Sequence, residues 1–187
     1  HDVLYVGMGA REVVFHAGAG EETAFYLVSS TAHVTYPTLL VRDVDADATR
    51  AGAPETANER IIRKHIHAGG IQSAQLVLGI TALEPGSVWN TMPCHLHDRR
   101  TEVYLYLGLP ADARVIHLMG EPDRTRNLVL ADREAVISPS WSVHFGAGTR
   151  NYAFVWAMAG ENQAFTDMDL VPVTALRAAC LPEGLLL

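Results

Sequence analysis

Turn signals cut this chain into short β-prone runs, and that punctuation limits its folds more than any other feature. From residue 71 onward, the runs 75–82, 102–107, 114–119, 127–130, 134–137 and 152–158 are separated by Glu84-Pro85-Gly86, Gly108-Leu109-Pro110, Glu121-Pro122-Asp123 and Ser138-Pro139. Such lengths and spacings predict an antiparallel sandwich or barrel rather than βαβ units. No glycine-rich phosphate loop follows any run, no internal repeat is present, and only residues 174–179 carry helical potential.

Before this region, residues 3–6, 12–15 and 24–28 form further β-prone runs among Gly7, Gly9, Gly18 and Gly20, and are expected as strands and hairpins. Residues 43–59, rich in Asp, Ala and Thr, show neither a helical nor a strand period and read as a surface loop or linker. The expected organisation is therefore a first β unit plus linker over residues 1–60, followed by a barrel with a C-terminal tail over residues 61–187.

With 49% hydrophobic residues in 187, the chain is long enough to bury a substantial core. A formal net charge of −7 and scattered basic residues argue against nucleic acid as a partner. Apolar runs such as 75–82 are too short to cross a bilayer, so no membrane span is expected. Cys94 and Cys180 make no disulfide framework, which favours a reduced compartment.

The chemistry concentrates in one segment. His95 and His97 are two apart and would share one face of a strand; after the polar turn 98–101, Glu102 opens an alternating strand whose like-facing residues are Tyr104 and Tyr106. His144 arrives from a distant strand behind Ser138-Pro139. Three neutral imidazoles and a carboxylate suit zinc, with manganese, iron or nickel also able to use such donors. Strand alternation turns Cys94 away from this face. His65 and His67 are also two apart, but Gln72 stands where the turn-spaced carboxylate would be needed, and a solvated edge strand or subunit contact is expected there. His117 is expected as an internal barrel histidine, whereas Tyr104 and Tyr106 fit either a pocket lining or core aromatics.

The spacing His-x-His-x₄-Glu followed by Pro-x₄-His resembles the two metal-binding motifs of the cupin superfamily, with His95, His97 and Glu102 in the first and His144 in the second. The chain departs from the common pattern at Trp141, where many cupins have glycine, and its interval from Glu102 to Gly108 is shorter by a residue. A narrower resemblance covers nearly the whole chain. Asn90-Thr91-Met92-Pro93-Cys94-His95, His97-Asp98-Arg99-Arg100, Ala135-Val136-Ile137-Ser138-Pro139-Ser140-Trp141-Ser142 and Trp156-Ala157-Met158-Ala159-Gly160-Glu161-Asn162, with Tyr5-Val6-Gly7-Met8-Gly9 and Thr35-Tyr36-Pro37-Thr38, are similar to the 5-keto-4-deoxyuronate isomerase family.

That resemblance implies an all-β protein with a cupin-type antiparallel barrel preceded by part of a second β domain. It implies a zinc-dependent ketol-isomerase of pectin breakdown, with one Zn2+ per chain, a small anionic sugar substrate, homohexameric assembly and a cytoplasmic setting. Family members are longer at the N-terminus, so sequence preceding His1 would belong to the first β domain. The rival reading within the same fold is 5-deoxyglucuronate isomerase of inositol catabolism. A non-catalytic cupin binding a sugar acid is the alternative from another class. The implied reaction moves a hydrogen between an aldehyde carbon and its hydroxylated neighbour, so a metal would act as a Lewis acid beside a separate proton carrier. Glu161, Asp98, Tyr104 and His117 are unranked candidates for that carrier. Arg99 and Arg100, on the turn between ligand-bearing strands, are candidates with Tyr104 for substrate binding, a guanidinium being suited to a carboxylate; solvated turn charges or subunit salt bridges explain the two arginines equally well.

Overall fold

A computed structural model of the chain describes residues 1–20, 22–161 and 163–179. Among these the structure is all-β, with 3-10 turns but no α-helix. In chain order the strands are β1 Val3–Tyr5, β2 Leu39–Val41, β3 Asp47–Ala51, β4 Arg60–Ile66, β5 Leu76–Leu83, β6 Trp89–Asn90 and β7 His95–His97. They continue with β8 Arg100–Leu107, β9 Val115–Glu121, β10 Arg124–Leu130, β11 Ala135–Ser138, β12 Val143–Gly148, β13 Ala153–Gly160 and β14 Met168–Leu170. A six-stranded sheet, β11-β8-β13-β5-β4-β3, and a four-stranded sheet, β10-β9-β12-β6, form the body, with β1-β2 and β14-β7 as separate pairs. All strand pairs are antiparallel.

The two larger sheets close on one core. Tyr104 and Tyr106 of β8, Phe154, Trp156 and Met158 of β13 and Val77 of β5 pack with Val115 and Leu130 of the opposite sheet. Intervening residues on the same strands, including Leu78, Ile80, Leu105, Val155 and Ala157, form a second core on the other face, where Tyr5 joins them. The large sheet is thus buried on both sides, which explains why residues 75–82 read as a continuous apolar run rather than an alternating one. Its inner row holds Glu102, Tyr104 and Tyr106 side by side, as the period-two pattern predicts.

Several expected elements differ. Residues 12–15 and 24–28 form no strand; their side chains are largely exposed and Phe15 stacks on Phe25 at 4.0 Å between ring centroids. β-propensity becomes a strand only where a neighbour supplies a ladder, and none does so here among the described residues. Conversely, β3 lies inside the stretch expected as a loop. It pairs with β4 but buries neither face, so no apolar alternation marked it. β4 is an interior strand rather than a solvated edge: His65 is buried at the Lys64/Ile66 register shift, 3.6 Å from Asp43. The expected helix over 174–179 is replaced by a 3-10 turn at Val173–Ala175, because Thr125 at the start of β10 takes hydrogen bonds from and to Ala179 and Arg177. Cys94 is free and buried, and Cys180 lies outside the described residues.

Gly79 on β5 allows close packing of the inner row. A Cβ there would lie 2.1 Å from the Trp156 ring and 2.4 Å from the Arg63 carbonyl oxygen. The indole is fixed along the same edge by a 3.0 Å hydrogen bond from Nε1 to Thr81 Oγ1. Gly79→Ala should therefore destabilise the fold by about 1–3 kcal/mol through overpacking, read as a lowered midpoint in thermal or urea unfolding. An unchanged midpoint would show that Trp156 has room to move.

Candidate metal centre

Three elements bring four side chains to one point. The short strand β7 sets His95 and His97 on a common face and is held by pairing with β14, where Leu170 lies opposite His95 and Met168 opposite His97. Glu102 follows on β8, paired with Ser138 and Met158 on its flanks. His144 comes from β12 in the four-stranded sheet, opposite Met119. Their ligand atoms all lie within 4.8 Å of one another, and His97, Glu102 and His144 are buried while His95 is partly open. The expected quartet is thus assembled, and Cys94 turns outward, donating from Sγ to the Val171 carbonyl at 3.2 Å.

The outer nitrogens of the imidazoles explain which atoms face inward. His144 Nδ1 sits 3.1 Å from the Ser142 carbonyl oxygen, and His95 Nδ1 3.2 Å from that of Pro93. A carbonyl accepts only, so Nδ1 carries the proton in both rings and Nε2 presents a lone pair inward. His97 Nδ1 lies between Asp167 Oδ1 at 3.5 Å, which would accept its proton, and Arg100 Nη2 at 3.2 Å, which can only donate to it; its Nε2 faces the interior. There His144 Nε2 and His97 Nε2 lie 2.8 and 3.4 Å from the same Glu102 oxygen, Oε2. Neither His144 Nε2 nor Glu102 Oε2 has an aligned hydrogen-bond partner among the described residues.

Two buried acceptors this close repel unless a cation lies between them. Burial pushes His95 down to about 4, with His144 adding to the effect, so this ring is neutral and able to ligate at ordinary pH. Burial acts to raise the Glu102 carboxyl, but the neighbouring His144 and His97 more than reverse that and hold it below the usual carboxylate range. Three imidazoles and a carboxylate fit a divalent metal.

His95, His97 and Glu102 of the quartet line a cavity of about 390 Å³, within the roughly 300–1,000 Å³ typical of small-molecule sites. Its walls include Tyr104, Phe154, Trp156 and Met158 from the inner row, and Arg60 and Lys64 from β4. The Tyr104 hydroxyl lies 2.9 Å from Thr91 Oγ1, and its ring stands edge-on to His144 at 5.6 Å. Burial, with Glu102 nearby, raises its pKa far above the ordinary phenol value, keeping it protonated. Thr91 adopts the left-handed backbone region at φ +52, a conformation that costs a non-glycine residue about 1–2 kcal/mol.

Of the remaining sequence-derived candidates, Arg99, Arg100, Asp98 and Glu161 border a different depression, together with Gln75 and Ser140. Arg100 is buried, paired with Asp167 and set behind His97 rather than in the quartet's cavity. His117 is buried beyond Tyr104, and its Nδ1 accepts or donates a 2.7 Å bond with the Tyr106 hydroxyl; burial and His144 push its pKa down to about 3. Sequence reasoning missed Arg60, Lys64 and Asp167. The alternation Arg60, Ile62, Lys64 could have flagged a shared face, but no local signal joins Asp167 to a histidine seventy positions earlier.

Fold and site together define a cupin-type β-barrel whose interior carries a three-histidine, one-carboxylate cluster able to hold a metal ion. The sequence matches the KduI/IolB family over residues 1–173, and the chain belongs to that family. It is 56% identical over 176 residues to a 4-deoxy-L-threo-5-hexosulose-uronate ketol-isomerase of Bacillus pumilus, covering 94% of this chain and 64% of the relative. It is also 56% identical over 178 residues to one of Kineococcus radiotolerans, covering 93% and 64%. The chain therefore spans 64% of the length of these relatives. Among solved structures, an IolB-like protein from Salmonella typhimurium superposes with a TM-score of 0.61 at 16% identity, covering 73% of this chain and 54% of the other. A mutant of Bacillus subtilis oxalate decarboxylase does so with a TM-score of 0.54 at 15% identity, covering 75% and 34%, and both support the fold alone. No helix among the described residues is long and apolar enough to cross a membrane.

Purified protein is expected to retain about one divalent metal per chain by elemental analysis, the stoichiometry of a single such site. His97→Ala and His144→Ala should abolish retention, and His65→Ala should not. Equal loss at His65 would place the metal elsewhere.

Proposed function

We propose that the chain is the metal-bearing part of a ketol-isomerase interconverting 4-deoxy-L-threo-5-hexosulose uronate and 3-deoxy-D-glycero-2,5-hexodiulosonate in pectin and uronate degradation. One observation carries the reading: the quartet shares a sugar-sized cavity with the protonated Tyr104 hydroxyl, in a chain 52–56% identical to relatives named for this reaction. His95, His97, Glu102 and His144 would hold the metal, with zinc assigned by family resemblance. When bound, a divalent metal supplies Lewis-acid polarisation of a carbonyl oxygen and acidifies the adjoining carbon-bound hydrogen. Homohexameric assembly and a cytoplasmic setting belong to the same reading. So does the division into residues 1–60, part of a first β domain plus linker, and the barrel 61–187; the separate β1-β2 sheet supports it, while β3 ties the earlier part to the barrel.

The chain's own groups divide the remaining work. Tyr104, fixed by Thr91, offers a proton to a substrate oxygen beside the quartet, and among Glu161, Asp98, Tyr104 and His117 it alone lines the cavity. Phe154, Trp156 and Met158 form an apolar wall that limits water around the reacting carbons. The rival 5-deoxyglucuronate reading has the same fold, and the 52–56% identities favour the uronate enzyme.

The test is turnover of both sugars by metal-loaded protein. The hexosulose uronate should be the preferred substrate; preference for 5-deoxyglucuronate, or no turnover of either, overturns the reading. Tyr104→Phe should lower kcat by about a hundredfold or more with metal content unchanged, the usual scale for a lost acid/base. Full activity in that variant would assign the proton carrier elsewhere.

A further inference from the structure

The cationic residues of the quartet's cavity are on β4, where Arg60, Ile62 and Lys64 share the inward face. The two cations are not equivalent. Lys64 Nζ is engaged by Asp47 at 2.9 Å. Arg60 takes part in no ion pair among the described residues. It is instead pinned in place: Nη1 donates to the Asn58 carbonyl at 2.8 Å and Nη2 to the Met92 carbonyl at 2.9 Å.

Backbone carbonyls orient a guanidinium without neutralising it. Of its five N–H donors, those two bonds leave three free, enough for a two-pronged pair with a carboxylate. Burial lowers the pKa of Arg60, yet a guanidinium remains charged at any working pH. A fixed, half-buried positive charge against apolar walls calls for an anion, and the described residues provide no carboxylate partner for it.

We propose that Arg60 binds the carboxylate of an acidic sugar, anchoring the end of the molecule away from the atoms that meet the quartet. This rests on the uronate reading above and adds a specificity-determining residue to it. The geometry favours Arg60 over Arg99 and Arg100, which line the other depression.

The same guanidinium also bonds the loop leading to His95, so the test must separate anchoring from support of the fold. Metal-loaded wild type, R60K and R60Q are compared by calorimetry for binding D-galacturonate and D-galactose, with thermal midpoint and metal content measured alongside. Wild type should prefer the acid, and R60Q should lose about ten- to hundredfold in affinity for it with galactose binding unchanged, the scale of a lost charge-assisted pair. R60K, which keeps the charge without the fork, should fall between them and serves if R60Q fails to fold or to hold metal. Equal loss for acid and neutral sugar would show a supporting role and overturn the proposal, as would an unaltered acid preference in R60Q or R60K or no preference in wild type. Turnover of the hexosulose uronate by wild type decides the isomerase reading separately: if wild type turns it over and KM is unchanged in the Arg60 variants, the anchor falls and the isomerase reading stands.

Discussion

His144 Nε2 and Glu102 Oε2 meet at 2.8 Å among buried side chains, with His97 Nε2 3.4 Å from the same oxygen, and much of the surrounding structure serves to hold them there. Left without a cation, that arrangement costs the desolvation of a carboxylate as well as the repulsion between acceptors. Each imidazole is prevented from relieving the conflict by turning over, because its other nitrogen is engaged by the Ser142 carbonyl, the Pro93 carbonyl or the Asp167–Arg100 pair. The orientation comes from outer partners, which is how metal-binding histidines are ordinarily fixed.

The sheet architecture supplies the rigidity. β8 contributes Glu102 and Tyr104 from an inner row packed against β13, while the outer row of the same strands is buried in a second core. A strand buried on both faces cannot slip register without exposing one apolar set and burying charge on the other side. His144 belongs to the opposite sheet, so the quartet forms only when the two sheets close. Fold and site are in that sense one structure.

Much of this was legible in the sequence because it depends on local periodicity. The two-residue spacing of His95 and His97, the turn before Glu102 and the like-facing Tyr104 all follow from strand geometry, and the antiparallel architecture follows from the turn signals. What was not legible depends on neighbours. β3 has no buried face to betray it, the apolar runs 12–15 and 24–28 find no ladder, and residues 174–179 give up their helical potential to bonds with β10. Arg99 and Arg100 were close in sequence to the ligands and yet border the other depression, whereas Arg60 reaches the cavity from a strand thirty-five positions before His95. Proximity along the chain was a sound guide within one hairpin and a poor one across the barrel.

The central claim is that His95, His97, Glu102 and His144 close around one metal through inward Nε2 atoms and a carboxylate oxygen. X-ray absorption fine structure at the zinc edge of the loaded protein tests it directly. The account predicts a shell of nitrogen and oxygen scatterers at roughly 2.0–2.2 Å, with outer-shell features of three imidazoles. A sulfur scatterer near 2.3 Å, or a shell lacking the imidazole pattern, would contradict it.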